Sequence, residues 1–138
     1  MDLYAENILD HSKHPRHTGS LAEPTVRHHE ENTSCGDDLE VDLKIEDDRI
    51  VDIKWHGEGC ALSQAGMSLL SEELIGMSLS DIADLDTAHM NALLGVPVGP
   101  RRFKCAFLGL HTLKNALRTL QGLEPHSWLQ TVEIDNAE

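Results

Sequence analysis

Between residues 39 and 56 apolar and polar positions alternate. Leu39, Val41, Leu43 and Ile45 are separated by Glu40, Asp42 and Lys44; after a short DDR link, Val51, Ile53 and Trp55 are separated by Asp52 and Lys54. Two such period-2 runs predict an antiparallel hairpin with one buried face. Cross-strand neighbours point to the same side of a sheet, which sets the register. Pairing Ile45 with Val51, Leu43 with Ile53 and Val41 with Trp55 keeps every apolar residue inside, whereas a one-residue slip sets Leu43 against Asp52. Continued to the open end of the hairpin, this register brings Cys60 opposite Gly36 and beside Cys35.

Helical spacing dominates the rest of the chain. DLYAENILDHSK reads as a short helix that stops at His14-Pro15, because a residue before proline avoids the helical region. TVRHHEEN reads as an edge strand. ALSQAGMSLLSEELIG carries a broad apolar arc after Cys60, with Gly76 as its stop. Ser80 and Thr87 are candidate N-caps of two shorter helices. VPVGP then breaks the chain, and a last amphipathic helix is predicted from Cys105, with Leu110, Leu113, Leu117 and Leu120 as its core stripe and Gly122 near its end. The mixed segment EPHSWLQTVEIDNAE follows, and its sequence reads equally as a tail docked through Trp128 or as a mobile one.

A length of 138 residues fits a single domain spanning 1–138, with 123–138 as a C-terminal tail. Only five residues are aromatic, so aliphatic side chains carry the core. The formal net charge of −13 would repel nucleic acids and anionic lipid, which argues against both as partners. No apolar run approaches the ~20 residues of a membrane span, and the first residues lack the order of a signal peptide. A cytoplasmic location follows as the expectation. Its reducing conditions suit three cysteines, an odd number that a closed disulfide set would not use.

Those cysteines are the candidate chemistry. Cys60 and Cys105 each fall at the predicted start of a helix, where unpaired amides and the positive end of the helix dipole favour a thiolate. Arg101, Arg102 and Lys104 gather just before Cys105, three of only 11 Lys and Arg in the chain. Asp37 follows Cys35 by two residues. If the last helix crosses the open end of the hairpin, three thiolates and a carboxylate converge in a donor set suited to tetrahedral zinc or to iron–sulfur chemistry. The spacing C-x24-C-x44-C lacks the short pairs of zinc fingers, and on spacing alone three ordinary reduced cysteines read equally well. Nine histidines are present. His11, His14 and His17 recur every three residues, but Pro15 interrupts any shared face.

SCGDDLEV, GEGCALSQA and RFKCAFL resemble, in order, the three cysteine motifs of the IscU/SufU family, also found as the N-terminal domain of NifU. LYAENILDHSKHPRHTGSL is similar to that family's N-terminal segment, and the resemblance spans roughly residues 3 to 121. It implies an α+β fold in which a small antiparallel sheet packs against several helices. It also implies an iron–sulfur cluster assembly protein that accepts persulfide sulfur from a cysteine desulfurase and serves as scaffold for nascent clusters. Carried over by position, the metal site is Cys35, Asp37, Cys60 and Cys105. The three cysteines would hold a cluster, and Cys105 would be the sulfur acceptor, with Arg102 and Lys104 balancing its charge. Zinc or a cluster, of the 2Fe–2S type if one forms, is the implied cofactor; iron and apo acceptor or carrier proteins are the further implied partners. Lys104 stands where the IscU branch has His, and R-F-K-C is similar to the R-x-K-C of the SufU branch, yet 44 residues between the second and third cysteines leave no room for the SufU insertion. His56 is a candidate substitute for the missing His. A zinc-dependent sulfurtransferase that activates a desulfurase without building a cluster is the alternative, and a zinc-stabilised adaptor without sulfur chemistry a second one.

Overall fold

The computed structural model describes residues 3–32, 36–95, 98, 102–128 and 131. In chain order these form α1 (Leu3–Lys13), β1 (Val26–Asn32), β2 (Asp37–Glu46), β3 (Arg49–His56), α2 (Ala61–Leu74), α3 (Leu79–Ala83), α4 (Thr87–Leu94), α5 (Phe103–Ala106) and α6 (Leu108–Leu120). The fold is α+β. The strands make one antiparallel sheet in the order β1-β2-β3, and α2 and α6 pack together and against it.

The hairpin forms as its alternation predicts, with one correction. Val41 pairs with Trp55 and Leu43 with Ile53, but Ile45 pairs with Ile50, not with Val51. The reason lies in the turn. Asp47 and Asp48 both adopt left-handed backbone, at φ of 52° and 60°, as in the two-residue hairpin turns whose twist matches that of the strands. That turn pairs Glu46 with Arg49, and the register is restored further along by a bulge at Val51, since Lys44 already faces Asp52. Ile50 is therefore fully buried while Val51 is 41% exposed.

The apolar face of the hairpin forms the centre of the core. Leu39, Val41, Leu43, Ile50, Ile53 and Trp55 are all essentially inaccessible to solvent and join Leu70 and Leu74 of α2 and Leu110 and Leu113 of α6 in one cluster. The free edge of β3 is covered by the segment after α1. Trp55 N donates to His17 O and Gly19 N donates to Trp55 O, and the indole N–H of Trp55 donates to Arg16 O at 2.7 Å. Asp42 is buried on the opposite face of the sheet, where it accepts from Arg27 at 2.8 and 2.9 Å and from Leu21 N at 2.9 Å.

Three boundaries differ from expectation. The caps of α3 and α4 are Ser78, accepting from Asp81 N, and Asp86, accepting from His89 N; Ser80 and Thr87 lie inside the helices. The last helix does not begin at Cys105: α5 is a single turn that already contains it, and the chain bends at Phe107 (φ −106°, ψ 8°) before α6. The leucine stripe is buried through Leu117, but Leu120 is 38% exposed. Most of the VPVGP break lies outside the described residues.

Close packing of α2 against the last two helices explains the bend. A Cβ on Gly66 of α2 would stand 2.9 Å from Ala106 O, and one on Gly109 of α6 would stand 3.1 Å from Met67 Sδ. Two glycines thus allow α2 to approach closely where α5 gives way to α6.

Candidate metal centre

Asp37, Cys60 and Cys105 meet at the open end of the hairpin, with one ligand atom from each lying within 4.8 Å of the others. Asp37 is the first residue of β2, and Cys60 follows β3 as the N-cap of α2. Hydrogen bonding of the two strands persists past their last assigned pair, with Asp38 N donating to Glu58 O at 2.8 Å. Asp37 and Cys60 are then joined directly, because Cys60 N donates to Asp37 Oδ1 at 3.2 Å. The Cys60 side chain makes no capping hydrogen bond, so its thiol is not used to hold the helix. Cys105, on α5, is 7% exposed, whereas Cys60 is exposed.

The fit to a metal ion rests on Asp37. Its Oδ1 is used by Cys60, but its Oδ2 is buried without a hydrogen-bond partner. A buried carboxylate oxygen left in that state costs about 1–3 kcal/mol, and a bound cation removes the cost. Two thiolates and a carboxylate are a donor set that zinc accepts. Gly59 makes the approach possible, since a Cβ there would stand 2.9 Å from Asp37 Oδ1 and 2.3 Å from Ser63 Oγ. The residue types alone gave no reason to single out Gly59; its position directly before Cys60 was the available signal.

The three groups line an open cavity of about 580 Å³, together with Glu58, Gly59 and Arg102. Arg102 is exposed and caps α5, while Lys104 is half-buried and outside the cavity lining. Cys35 and Arg101 lie outside the described residues. His56 pairs with Glu40 at 2.8 Å and is not among the groups that converge. Nor is the N-terminal histidine triplet: His11 is buried, with Nδ1 2.7 Å from Ser68 Oγ and Nε2 3.4 Å from Glu72. Among the described residues, the group of Asp37, Cys60 and Cys105 is the one cluster of three candidate ligands.

Beside Cys105 the sheet presents polar side chains where the hairpin presents apolar ones. Asn32 is buried, and its Nδ2 lies 4.0 Å from Cys105 Sγ. Glu30, two residues earlier on the same face of β1, accepts from His28 Nε2 at 2.6 Å and from Asn115 Nδ2 at 3.1 Å, and His111 Nε2 lies 3.5 Å away. Burial alone would push the Glu30 carboxyl up, but the hydrogen bonds from His111, His28 and Asn115 outweigh it and hold it well below the usual carboxylate range. The chain after α6 returns to this cluster. Asn115 bonds both backbone groups of His126, at 2.6 and 3.0 Å, and Trp128 stacks on His111 with ring centroids 4.0 Å apart. Trp128 also meets Phe103 of α5 edge-on at 6.4 Å. Of the two readings of this segment, the described residues take the docked one, through Trp128.

Residues 3–124 match the family model described as NifU-like N terminal domain. The chain is 32% identical over 134 residues to the iron-sulfur cluster assembly scaffold protein IscU of Thermotoga maritima, covering 86% of this chain and 94% of that protein. It is 31% identical over 137 residues to the zinc-dependent sulfurtransferase SufU of Bacillus subtilis, covering 87% and 92%. Among solved structures, a putative iron-sulfur cluster assembly scaffold protein for the SUF system from Fervidobacterium islandicum is similar at a TM-score of 0.70 and 29% identity, covering 81% of this chain and 94% of that one. A NifU-like N-terminal protein from Brucella abortus shares the fold at a TM-score of 0.73 and 22% identity, over 87% and 95%. With the sheet, the helices and the Asp-Cys-Cys cluster in place, this chain belongs to the NifU-like N-terminal domain family, the family of the IscU and SufU proteins.

Proposed function

We propose that the protein is an iron–sulfur cluster assembly scaffold that accepts persulfide sulfur from a cysteine desulfurase. The observation that carries this reading is the convergence of Asp37, Cys60 and Cys105 around a buried carboxylate oxygen that lacks a partner. Cys35 completes the donor set. Cys105 is the acceptor: its thiolate attacks the terminal sulfur of the desulfurase persulfide, a new S–S bond forms on Cys105, and the desulfurase cysteine leaves as a thiolate. The exchange needs no external oxidant or reductant. Asp37 is the exchangeable ligand, because a hard carboxylate is the weak partner among soft thiolates. Arg102, at the cavity, offsets the negative charge gathered there. Iron is cargo, and apo acceptor proteins receive the product. Reduced thiols at such a site suit the cytoplasm, and no helix among the described residues is long and apolar enough to cross a membrane.

A zinc-dependent sulfurtransferase is the second reading, favoured by Lys104 directly before Cys105 and by the likeness to the Bacillus subtilis protein. Zinc bound by these residues would hold the thiolates ready and release one for transfer. Anaerobic reconstitution with iron, cysteine and a desulfurase, followed by visible absorption and metal analysis, separates the two. A cluster that forms on the wild-type chain and is lost in Cys105→Ser supports the scaffold. Retained zinc with faster desulfurase turnover and no cluster supports the transferase, and neither effect leaves an adaptor. Sulfur uptake that survives Cys105→Ser overturns the assignment of the acceptor in either case.

A further inference from the structure

Asn32 ties the two sides of the site together. Its main chain belongs to the Asp37 side: it pairs with Asp37 in the sheet, and Gly36 N donates to Asn32 O at 2.9 Å. Its side chain belongs to the other side, with Nδ2 facing Cys105 Sγ at 4.0 Å. The distance is long for an N–H···S bond, but the contact is buried, with Asn32 2% exposed. An amide N–H turned toward sulfur favours an electron-rich sulfur and directs its orientation.

The strand holding this amide is fixed from behind. Inward positions alternate along β1 as Val26, His28, Glu30 and Asn32. Glu30 is keyed to His111 and Asn115 of α6, and α6 follows the turn that carries Cys105 after a single intervening residue. β1 and the Cys105 segment are therefore held at a set distance by a polar lock, and Asn32 is the point where that lock reaches the sulfur.

We propose that Asn32 is a positioning residue for Cys105, its side-chain amide holding the sulfur turned toward Asp37 and Cys60. The inference rests on the reading of Cys105 as sulfur acceptor. Asn32→Asp keeps the shape and exchanges the donor for a like charge, and Asn32→Ala removes the donor alone. In the metal-free full-length chain, alkylation of each cysteine is followed by peptide mass mapping, with Cys60 as the standard within the same molecule. The Cys105-to-Cys60 rate ratio is expected to fall about tenfold in Asn32→Asp and about threefold in Asn32→Ala, the range of effect of one ordinary hydrogen bond. Sulfur loading of Cys105 from a desulfurase persulfide should fall in the same order. A merely structural role would move both cysteines together or follow the change in Tm, so Glu30→Gln, which loosens the same strand without touching the sulfur, is the control. A ratio unchanged in Asn32→Ala, or lowered equally by Glu30→Gln, overturns the proposal. If the wild-type chain accepts no sulfur while the ratio still responds to Asn32, the scaffold reading fails and the positioning of Cys105 stands.

Discussion

The sheet has two unlike halves. Along the hairpin the inward side chains Leu39, Val41, Leu43, Ile50, Ile53 and Trp55 are aliphatic or tryptophan and fully buried in the core they share with α2 and α6, and of these only the Trp55 indole needs a hydrogen-bond partner. On β1 the inward side chains after Val26 are His28, Glu30 and Asn32, and each finds a partner in the chain: Glu30 for His28, α6 for Glu30, the Cys105 turn for Asn32. Apolar burial is strong but non-directional. Hydrogen bonds are individually modest and fix orientation. The difference assigns the hairpin to stability and β1 to placement: the apolar half holds the molecule folded, and the polar half decides where Cys105 sits.

The largest expected effect falls on the apolar half. Ile50→Ala should cost about 2–5 kcal/mol, as for a fully buried aliphatic side chain, whereas the neighbouring Val51→Ala should stay within about 0.5 kcal/mol of wild type. Urea unfolding of the two variants checks this, and equal losses would remove the bulge from the description of β3.

A smaller effect is expected on the polar half, and it carries a pH signature. Glu30 has a folded-state pKa below its unfolded value. Its contribution is therefore fully present above the ordinary Glu value of about 4.3 and is lost progressively as pH falls below it. Glu30→Gln should cost about 1–2 kcal/mol near neutral pH and flatten the acid side of the stability profile. An acid limb identical to wild type would show that Glu30 is not the key of the lock.

The smallest effect should come from the tail. Trp128→Ala removes the stack on His111 and the edge contact with Phe103, worth about 1 kcal/mol, and should raise amide hydrogen exchange at His126 more than in α2. Trp128→Phe should restore most of the protection. Exchange that rises evenly across the molecule would deny the tail any local role.

Legibility in the sequence follows the same division. The hairpin was readable because alternation is a local pattern, and α1 and α2 because their apolar spacing and stops are local as well. The errors fall where a neighbour intervenes. Val51 looked equivalent to Ile53 until the two-aspartate turn advanced the register by one residue. Cys105 looked like a helix start, yet α5 had already begun at Phe103, and the break comes after it at Phe107, where Gly66 and Gly109 let α2 pack closely. The role of Asn32 had no local signal beyond its place on the inward face of a strand.

The sequence by itself determined the hairpin, the main helices and the chemistry of the donors, since periodicity and ligand type are properties of short stretches of chain. Only the tertiary structure decided that the sulfur of Cys105 reaches Asp37 and Cys60, that Asp37 keeps a buried oxygen open, and that an amide from β1 faces that sulfur. Those placements depend on how closely α2, α5 and α6 pack against the sheet. That closeness is the sum of many small contacts between residues far apart in the chain.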